Sequence, residues 1–348
     1  MTRSLHVAVC GATGAAGREM LSILAERRFP CASITALASA RSAGSMVPYG
    51  EGEVNVKELT KDSFKGVDLA LFATGEKAAR EFAPHAQAAG CVVVDTSSAW
   101  RMDERCPLVV PEVNPDALDA HNGIIACPGS AAIQMLVALK PLHDAAHIRR
   151  IVVTTMQAVS GSGQKGVGEL ERQVRRLFNM QQPEAEVYPH QIAFNCLPRI
   201  GEFMDGDCTA EEMNLAGETR RMLGDGVKVS ATCVRVPVFY GHSESINIET
   251  EKKLAAAEAR VMLMDAPGVQ VADNPRADLY PLAIDASGED DVFVGRIRED
   301  ESRENALNLW VVADNVRKGM ALNAVQAAEE LLKRELVSVP QPGVFLEQ

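Results

Sequence analysis

The apolar positions of this chain fall into two regimes. Residues 5–10, 34–38, 69–73 and 91–95 are short, nearly continuous runs of Val, Ala, Leu and Ile, the pattern of strands covered on both faces. Residues 18–28 lie between the first two runs and carry Met20, Leu21, Leu24 and Ala25 at helical spacing. Strand-helix alternation of this kind predicts a parallel, doubly wound sheet. Residues 123–127 read as a further short strand, followed by a tight turn and a helix that starts at Ser130. Beyond it the strand candidates 151–156, 227–235, 245–250 and 308–312 have few helices between them, which predicts an α+β domain with a mixed or antiparallel sheet. Residues 316–336 form a helical stretch rich in Ala, Leu, Glu and Lys, and residues 337–343, with Pro340 and Pro342, read as a loose end.

A length of 348 residues allows two domains with substantial cores. Aromatic residues are only 5% against 47% hydrophobic, so the cores are aliphatic. A net charge of −12 argues against non-specific nucleic-acid binding and against an anionic membrane surface. No apolar run approaches the roughly 20 residues that span a bilayer. The N-terminus leads straight into a strand without a signal-peptide layout. The eight cysteines form no CxxC pair. They read as free thiols of a reducing cytoplasm, and no metal site is expected.

The turn after the first strand reads Gly11-Ala12-Thr13-Gly14-Ala15-Ala16-Gly17. Glycines there let the backbone approach a pyrophosphate, and the following helix N-terminus favours its charge. Gly11, Thr13, Gly14, Ala15 and Gly17 are the candidate cofactor contacts, against the alternative of a purely structural glycine turn. The second strand runs into Ser39-Ala40-Arg41-Ser42 with no acidic residue to bind a ribose 2′-hydroxyl. Arg41 between Ser39 and Ser42 suits a 2′-phosphate and points to NADP(H). The alternative for Arg41 is a solvated loop charge.

Several stretches carry chemistry-bearing residues in fixed order. They are Asp95-Thr96-Ser97-Ser98-Ala99-Trp100-Arg101-Met102, Cys127-Pro128-Gly129-Ser130-Ala131-Ala132-Ile133-Gln134-Met135, Gln157-Ala158-Val159-Ser160-Gly161-Ser162-Gly163, Thr209-Ala210-Glu211-Glu212-Met213-Asn214 and Arg235-Val236-Pro237-Val238-Phe239-Tyr240-Gly241-His242-Ser243-Glu244. Through them the chain resembles the aspartate-β-semialdehyde dehydrogenases over about residues 5–336. The resemblance implies an α/β fold: an N-terminal Rossmann-like parallel-sheet domain (1–128 plus 316–348) and an α+β catalytic and dimerisation domain (129–315). It implies Arg101 gripping a substrate phosphate, Gln157 orienting the acyl intermediate, and Glu211 pairing with the substrate ammonium. It also implies Arg235 holding the α-carboxylate, His242 as general acid/base, Gly163 at the cofactor, and a homodimer. For Glu211 a simple macrodipole role remains the alternative. Guanidinium forks suit a dianionic amino-acid phosphate, and a histidine titrates near neutrality.

Two positions depart from the family pattern. Its nucleophile segment reads Asn-Pro-Asn-Cys-Ser-Thr, and Ser130 stands at the cysteine. Relatives carry lysine where Asn214 stands. A serine hydroxyl needs a stronger activating base than a thiol does, and asparagine keeps a hydrogen bond without a charge. The nearby Cys127 is a second candidate nucleophile. The chain therefore reads as an NADPH-linked enzyme interconverting aspartyl phosphate and aspartate semialdehyde, or as a disarmed NADP-binding paralogue with a regulatory or different-ligand role. In either case the substrate-sized ligand is a small molecule, a dicarboxylic amino-acid derivative.

Overall fold

A computed structural model describes residues 4–346. The chain divides at Gly129/Ser130 and at Gly319/Met320 into two compact units.

The first unit begins β1 (Leu5–Cys10), α1 (Ala15–Glu26), β2 (Cys31–Ala38), β3 (Met46–Tyr49), β4 (Gly52–Glu58), β5 (Leu69–Phe72), α2 (Glu76–Ala88), β6 (Val92–Asp95) and β7 (Ile124–Ala126). The sheet order is β3-β4-β2-β1-β5-β6-β7. All neighbours are parallel except β3 with β4. The winding reverses between β1 and β5, which leaves a crevice beyond their C-terminal ends. The β3–β4 hairpin was not expected from the sequence. Its residues are mostly exposed, so the apolar runs that betray β1, β5 and β6 are missing.

The second unit contains α3 (Ser130–Ala146), β8 (Ile148–Gln157), α4 (Gly163–Phe178), α5 (Ala210–Leu223), β9 (Lys228–Arg235), β10 (His242–Thr250), α6 (Ala256–Met264), β11 (Val269–Val271), α7 (Ala283–Ala286), β12 (Val292–Glu299) and β13 (Ala306–Ala313). Its sheet order is β11-β12-β13-β10-β8-β9. Pairing is mixed: β8 and β9 are parallel, and β10 is antiparallel to both β8 and β13. The long apolar α3 packs on this sheet, with Ile133, Leu136 and Leu139 wholly buried.

The chain returns to the first unit in α8 (Asn323–Lys333), preceded by a wide turn at Arg317–Leu322. The helix expected over 316–336 is therefore present from Arg317 to Lys333, with its first turn wound as a π-helix rather than an α-helix. Ala324, Val325, Ala327, Ala328 and Leu331 of α8 join the core around β1 and β5. The tail is not loose. Val337 joins the same core, and Gln87 Nε2 donates to Gln341 O at 2.5 Å while Gln87 Oε1 accepts from Gly343 N at 2.7 Å. Phe345 packs edge-on against Trp100 at 5.5 Å between ring centroids. Among the described residues no helix is long and apolar enough to cross a membrane.

Candidate active site

Three strand ends of the second unit deliver three of the expected residues to one place. Gln157 and Arg235 are register partners at the ends of parallel β8 and β9, and His242 begins antiparallel β10 next to β8. A single residue then ties two of them together. Arg235 Nη1 donates to the Ala158 carbonyl at 2.6 Å, and the Ala158 N–H donates to His242 Nδ1 at 3.1 Å. The backbone of Gly161 runs across the same pair. A Cβ there would come within 2.7 Å of Arg235 Nη1 and 3.5 Å of His242 Nε2, so any side chain at 161 would press on the guanidinium. Asn315 closes the loop: its Oδ1 accepts from Ser160 Oγ and from Gly241 N, both at 3.0 Å.

Arg235 and His242 are almost wholly buried, at 5% and 1% exposure. Burial lowers the Arg235 pKa, but a guanidinium stays charged. Burial, then the Arg235 charge, push His242 well below its usual 6.5, with the Gly241 backbone pulling weakly the other way. Since Nδ1 accepts from Ala158, the neutral ring carries its proton on Nε2. His242 is thus a neutral donor at Nε2, held beside a fixed cation.

Gln157 Nε2 donates to Glu211 Oε1 at 2.9 Å, so those two residues also meet. Glu211 lies in the first turn of α5, but the capping box belongs to its neighbour. Thr209 N donates to Glu212 Oε2 at 2.7 Å and Glu212 N donates to Thr209 Oγ1 at 3.4 Å. Asn214 follows Glu211 by three positions on α5, half-buried. A cavity of about 430 Å³ opens beside Arg235, lined also by Ser162, Tyr188, Arg199, Gly201 and Glu202. A guanidinium on such a wall offers a carboxylate a ready partner.

Ser130 is the first residue of the 17-residue helix α3, half-buried, with no acidic side chain in the first turn. The helix N-terminus supplies partial positive charge to an attacking or developing oxyanion. One turn on, Gln134 Nε2 donates to the His242 carbonyl at 3.3 Å, linking the Ser130 helix to the His242 strand. Cys127 lies in the first unit with no exposure, and burial pushes its thiol up to about 12. A thiol so held is disfavoured as a thiolate near neutrality, which argues against Cys127 as the attacking group.

The first unit holds the remaining candidates. A cavity of about 440 Å³ beyond β1, β2 and β5 is lined by Gly11, Thr13, Gly14, Ser39, Ala73 and Thr74. Gly11 has φ +84°, and a Cβ there would lie 2.3 Å from the Ala73 carbonyl. Gly14 caps α1 without a side-chain hydrogen bond, and Ala15 and Gly17 fall in the first turn. The turn therefore brings the N–H groups at the start of α1 and the Thr13 side chain to the cavity, a fit for a pyrophosphate. The buried Thr74 hydroxyl has no partner among the described residues. Arg41 and Ser42 lie in the short turn Ala40–Ser42, with Arg41 exposed. Gly163 opens α4 in the second unit. Arg101 Nε donates to Cys127 O at 3.0 Å and its Nη2 to Thr96 O at 2.9 Å. No group of three metal-ligating side chains occurs among the described residues. Gln134, Tyr188, Glu244 and Asn315 were not singled out from the sequence. Three of them sit inside quoted or adjoining motifs, but their type carries no chemistry until the strands bring them together.

Two family models match this chain. "Semialdehyde dehydrogenase, NAD binding domain" covers residues 6–121 and "Semialdehyde dehydrogenase, dimerisation domain" covers residues 139–318. The aspartate-semialdehyde dehydrogenase of Aquifex aeolicus is 52% identical over 95% of this chain and 99% of its own length. That of Legionella pneumophila is 51% identical over 98% of this chain and 100% of its own. Among solved structures, the Vibrio cholerae aspartate semialdehyde dehydrogenase II complexed with ASA superposes with a TM-score of 0.93. It is 45% identical and covers 95% of this chain and 99% of that one.

Proposed function

The chain belongs to the aspartate-semialdehyde dehydrogenase family, and from that premise we propose that it interconverts aspartate semialdehyde and aspartyl phosphate with NADP(H), through the Ser130 hydroxyl. The observation that carries the reading is the shared anchoring of Arg235 and His242 on Ala158, with Gln157 and Glu211 bonded beside them. Arg235 takes the substrate carboxylate and Glu211 its ammonium. His242 Nε2–H donates to the reacting carbonyl oxygen, as a neutral imidazole does when it acts as electrophile. Ser130 Oγ bonds to the aldehyde carbon, a hydride leaves that carbon, and inorganic phosphate displaces Oγ from the resulting ester, with one proton released to solvent. Arg101 and Asn214 receive the phosphate. NADP⁺, when bound, supplies the hydride acceptor. Gly11, Thr13, Gly14, Ala15 and Gly17 would hold its pyrophosphate, Ser39, Arg41 and Ser42 its 2′-phosphate, and Gly163 its nicotinamide end. The match to a dimerisation domain supports a homodimer, and the thiol usage a cytoplasmic setting.

A second reading has its own observation. Ser130 and Asn214 both weaken the same step, and His242 Nδ1 is occupied by Ala158, so no imidazole lone pair is left to take the Ser130 proton. Under that reading the chain binds NADP(H) and a carboxylate ligand without turnover. Phosphate-dependent reduction of NADP⁺ by aspartate semialdehyde, measured on the wild type, Ser130→Ala and Ser130→Cys, separates the two. Slow wild-type turnover abolished by Ser130→Ala establishes the enzyme. An inert wild type that becomes active as Ser130→Cys establishes the disarmed paralogue.

A further inference from the structure

Behind His242 lies a row of polar side chains in the middle of the second sheet. Cys233 on β9, Thr155 on β8 and Glu244 on β10 are register neighbours across three adjacent strands. Gln134 comes down on them from α3. All four are fully buried, at 0% exposure. Four of their acceptor atoms, Thr155 Oγ1, Glu244 Oε1, Glu244 Oε2 and Gln134 Oε1, have no hydrogen-bond partner among the described residues. A buried polar group left without its hydrogen bond forfeits the solvation it had in water, and native interiors rarely tolerate several such groups together.

The hydrogens available show how the row closes. Cys233 offers its S–H and Thr155 its O–H. Gln134 offers one N–H, the other being spent on the His242 carbonyl. Four acceptors thus face three donors while Glu244 is ionised. A proton on Glu244 adds the missing donor and removes a bare charge. We propose that Glu244 is a neutral carboxylic acid whose O–H donates to Gln134 Oε1 while the free Gln134 N–H returns to the Glu244 carbonyl oxygen, completing a chain from Cys233 through Thr155, Glu244 and Gln134 to the carbonyl of His242. Glu244 is then a positioning residue. It fixes the Gln134 amide, and the amide fixes both the start of β10 that carries His242 and the first turns of the helix that begins at Ser130.

The surroundings favour the neutral acid. Burial drives the Glu244 carboxyl well above the usual carboxylate range. Gln134 opposes this, and the charge of Glu211 on α5 reinforces it. Its register partner on β13 is Val311 and on β8 is Thr155, neither of them charged. Burial likewise pushes the Cys233 thiol up to about 12, with Thr155 pulling it down and Glu211, Glu212 and Glu244 adding to the rise, so the S–H is retained as the donor that starts the chain.

The infrared difference spectrum between wild type and Glu244→Gln tests the protonation directly and needs no turnover. A carboxylic-acid C=O band at neutral pH, lost in the variant, is expected; a carboxylate band in its place overturns the proposal. The positioning role is read separately. Gln at 244 can still donate to Gln134, whereas Glu244→Leu cannot. In whichever form turns over, wild type or Ser130→Cys, Glu244→Leu should lower kcat on the order of 10²-fold with KM little changed, the effect of a small misplacement, and Glu244→Gln should restore it. Equal kcat in all forms, or no rescue by Gln, overturns that role. This kinetic arm rests on the reading of His242 as the reacting imidazole. If no form turns over, that reading fails, while the infrared band still decides the state of Glu244.

Discussion

His242 and Ala158 are joined by a 3.1 Å hydrogen bond in which the backbone N–H donates to imidazole Nδ1. Protonating the ring breaks that bond and places a second cation against Arg235. The folded-state pKa of His242 lies below its ordinary 6.5, so the unfolded chain takes up a proton that the native one refuses. Stability from this residue is present above pH 6.5 and is lost as pH falls below it. Histidine-labelled nitrogen NMR should show the Nε2–H tautomer of His242 at every pH where the protein is folded. His242→Gln should flatten the acid side of the stability profile, measured by denaturant unfolding.

Arg235 divides its guanidinium between Ala158 and the cavity that it lines. Lysine cannot reproduce the fork. Arg235→Lys should raise KM for aspartate semialdehyde by about 10- to 100-fold, the equivalent of one charge-assisted hydrogen bond. Steady-state kinetics check this, and an unchanged KM would place the carboxylate elsewhere.

Among the cysteines, Cys196 and Cys208 are exposed and Cys127 is buried. Alkylation followed by peptide mapping should label the first two and spare Cys127. Cys127→Ala should turn over as the wild type does. Loss of turnover in that variant would return Cys127 to the chemistry.

Asp95 ends β6 fully buried, and burial raises its pKa from 3.8 to about 6, with hydrogen bonds from Ser97 opposing. A raised folded-state pKa means that the acid form is favoured on folding. Its contribution is complete below pH 3.8 and disappears as pH rises through about 6. Two pKa units correspond to about 3 kcal/mol. Asp95→Asn keeps an acceptor for Ser97 and should remove this downward component from the unfolding free energy across that window.

Legibility followed burial. β1, β5 and β6 are covered on both faces, so their apolar runs stand out in the sequence; β3 and β4 are exposed and look like loop. The helix over 316–336 is legible because its apolar face is buried, while its π-wound first turn, where Asp314 Oδ1 takes the N–H groups of Val316 and Arg317, has no signature in the sequence. Pro340 and Pro342 made the tail read as loose, whereas Gln87, more than 250 positions away, holds it. The motifs placed Gln157, Glu211, Arg235 and His242; three strand ends and the first turn of α5 unite them. The motifs are silent on Ala158, which acts through its backbone, and on Glu244 and Gln134, whose role depends on register across three strands.

The central claim is that Ser130 forms the covalent bond to substrate. The most direct measurement is the intact mass and peptide map of the protein after incubation with aspartate semialdehyde and NADP⁺ in the absence of phosphate. Without phosphate to release it, the ester should accumulate on the peptide that carries Ser130 and be absent in Ser130→Ala. An adduct on any other residue, or no adduct while NADP⁺ is still reduced, would contradict the claim.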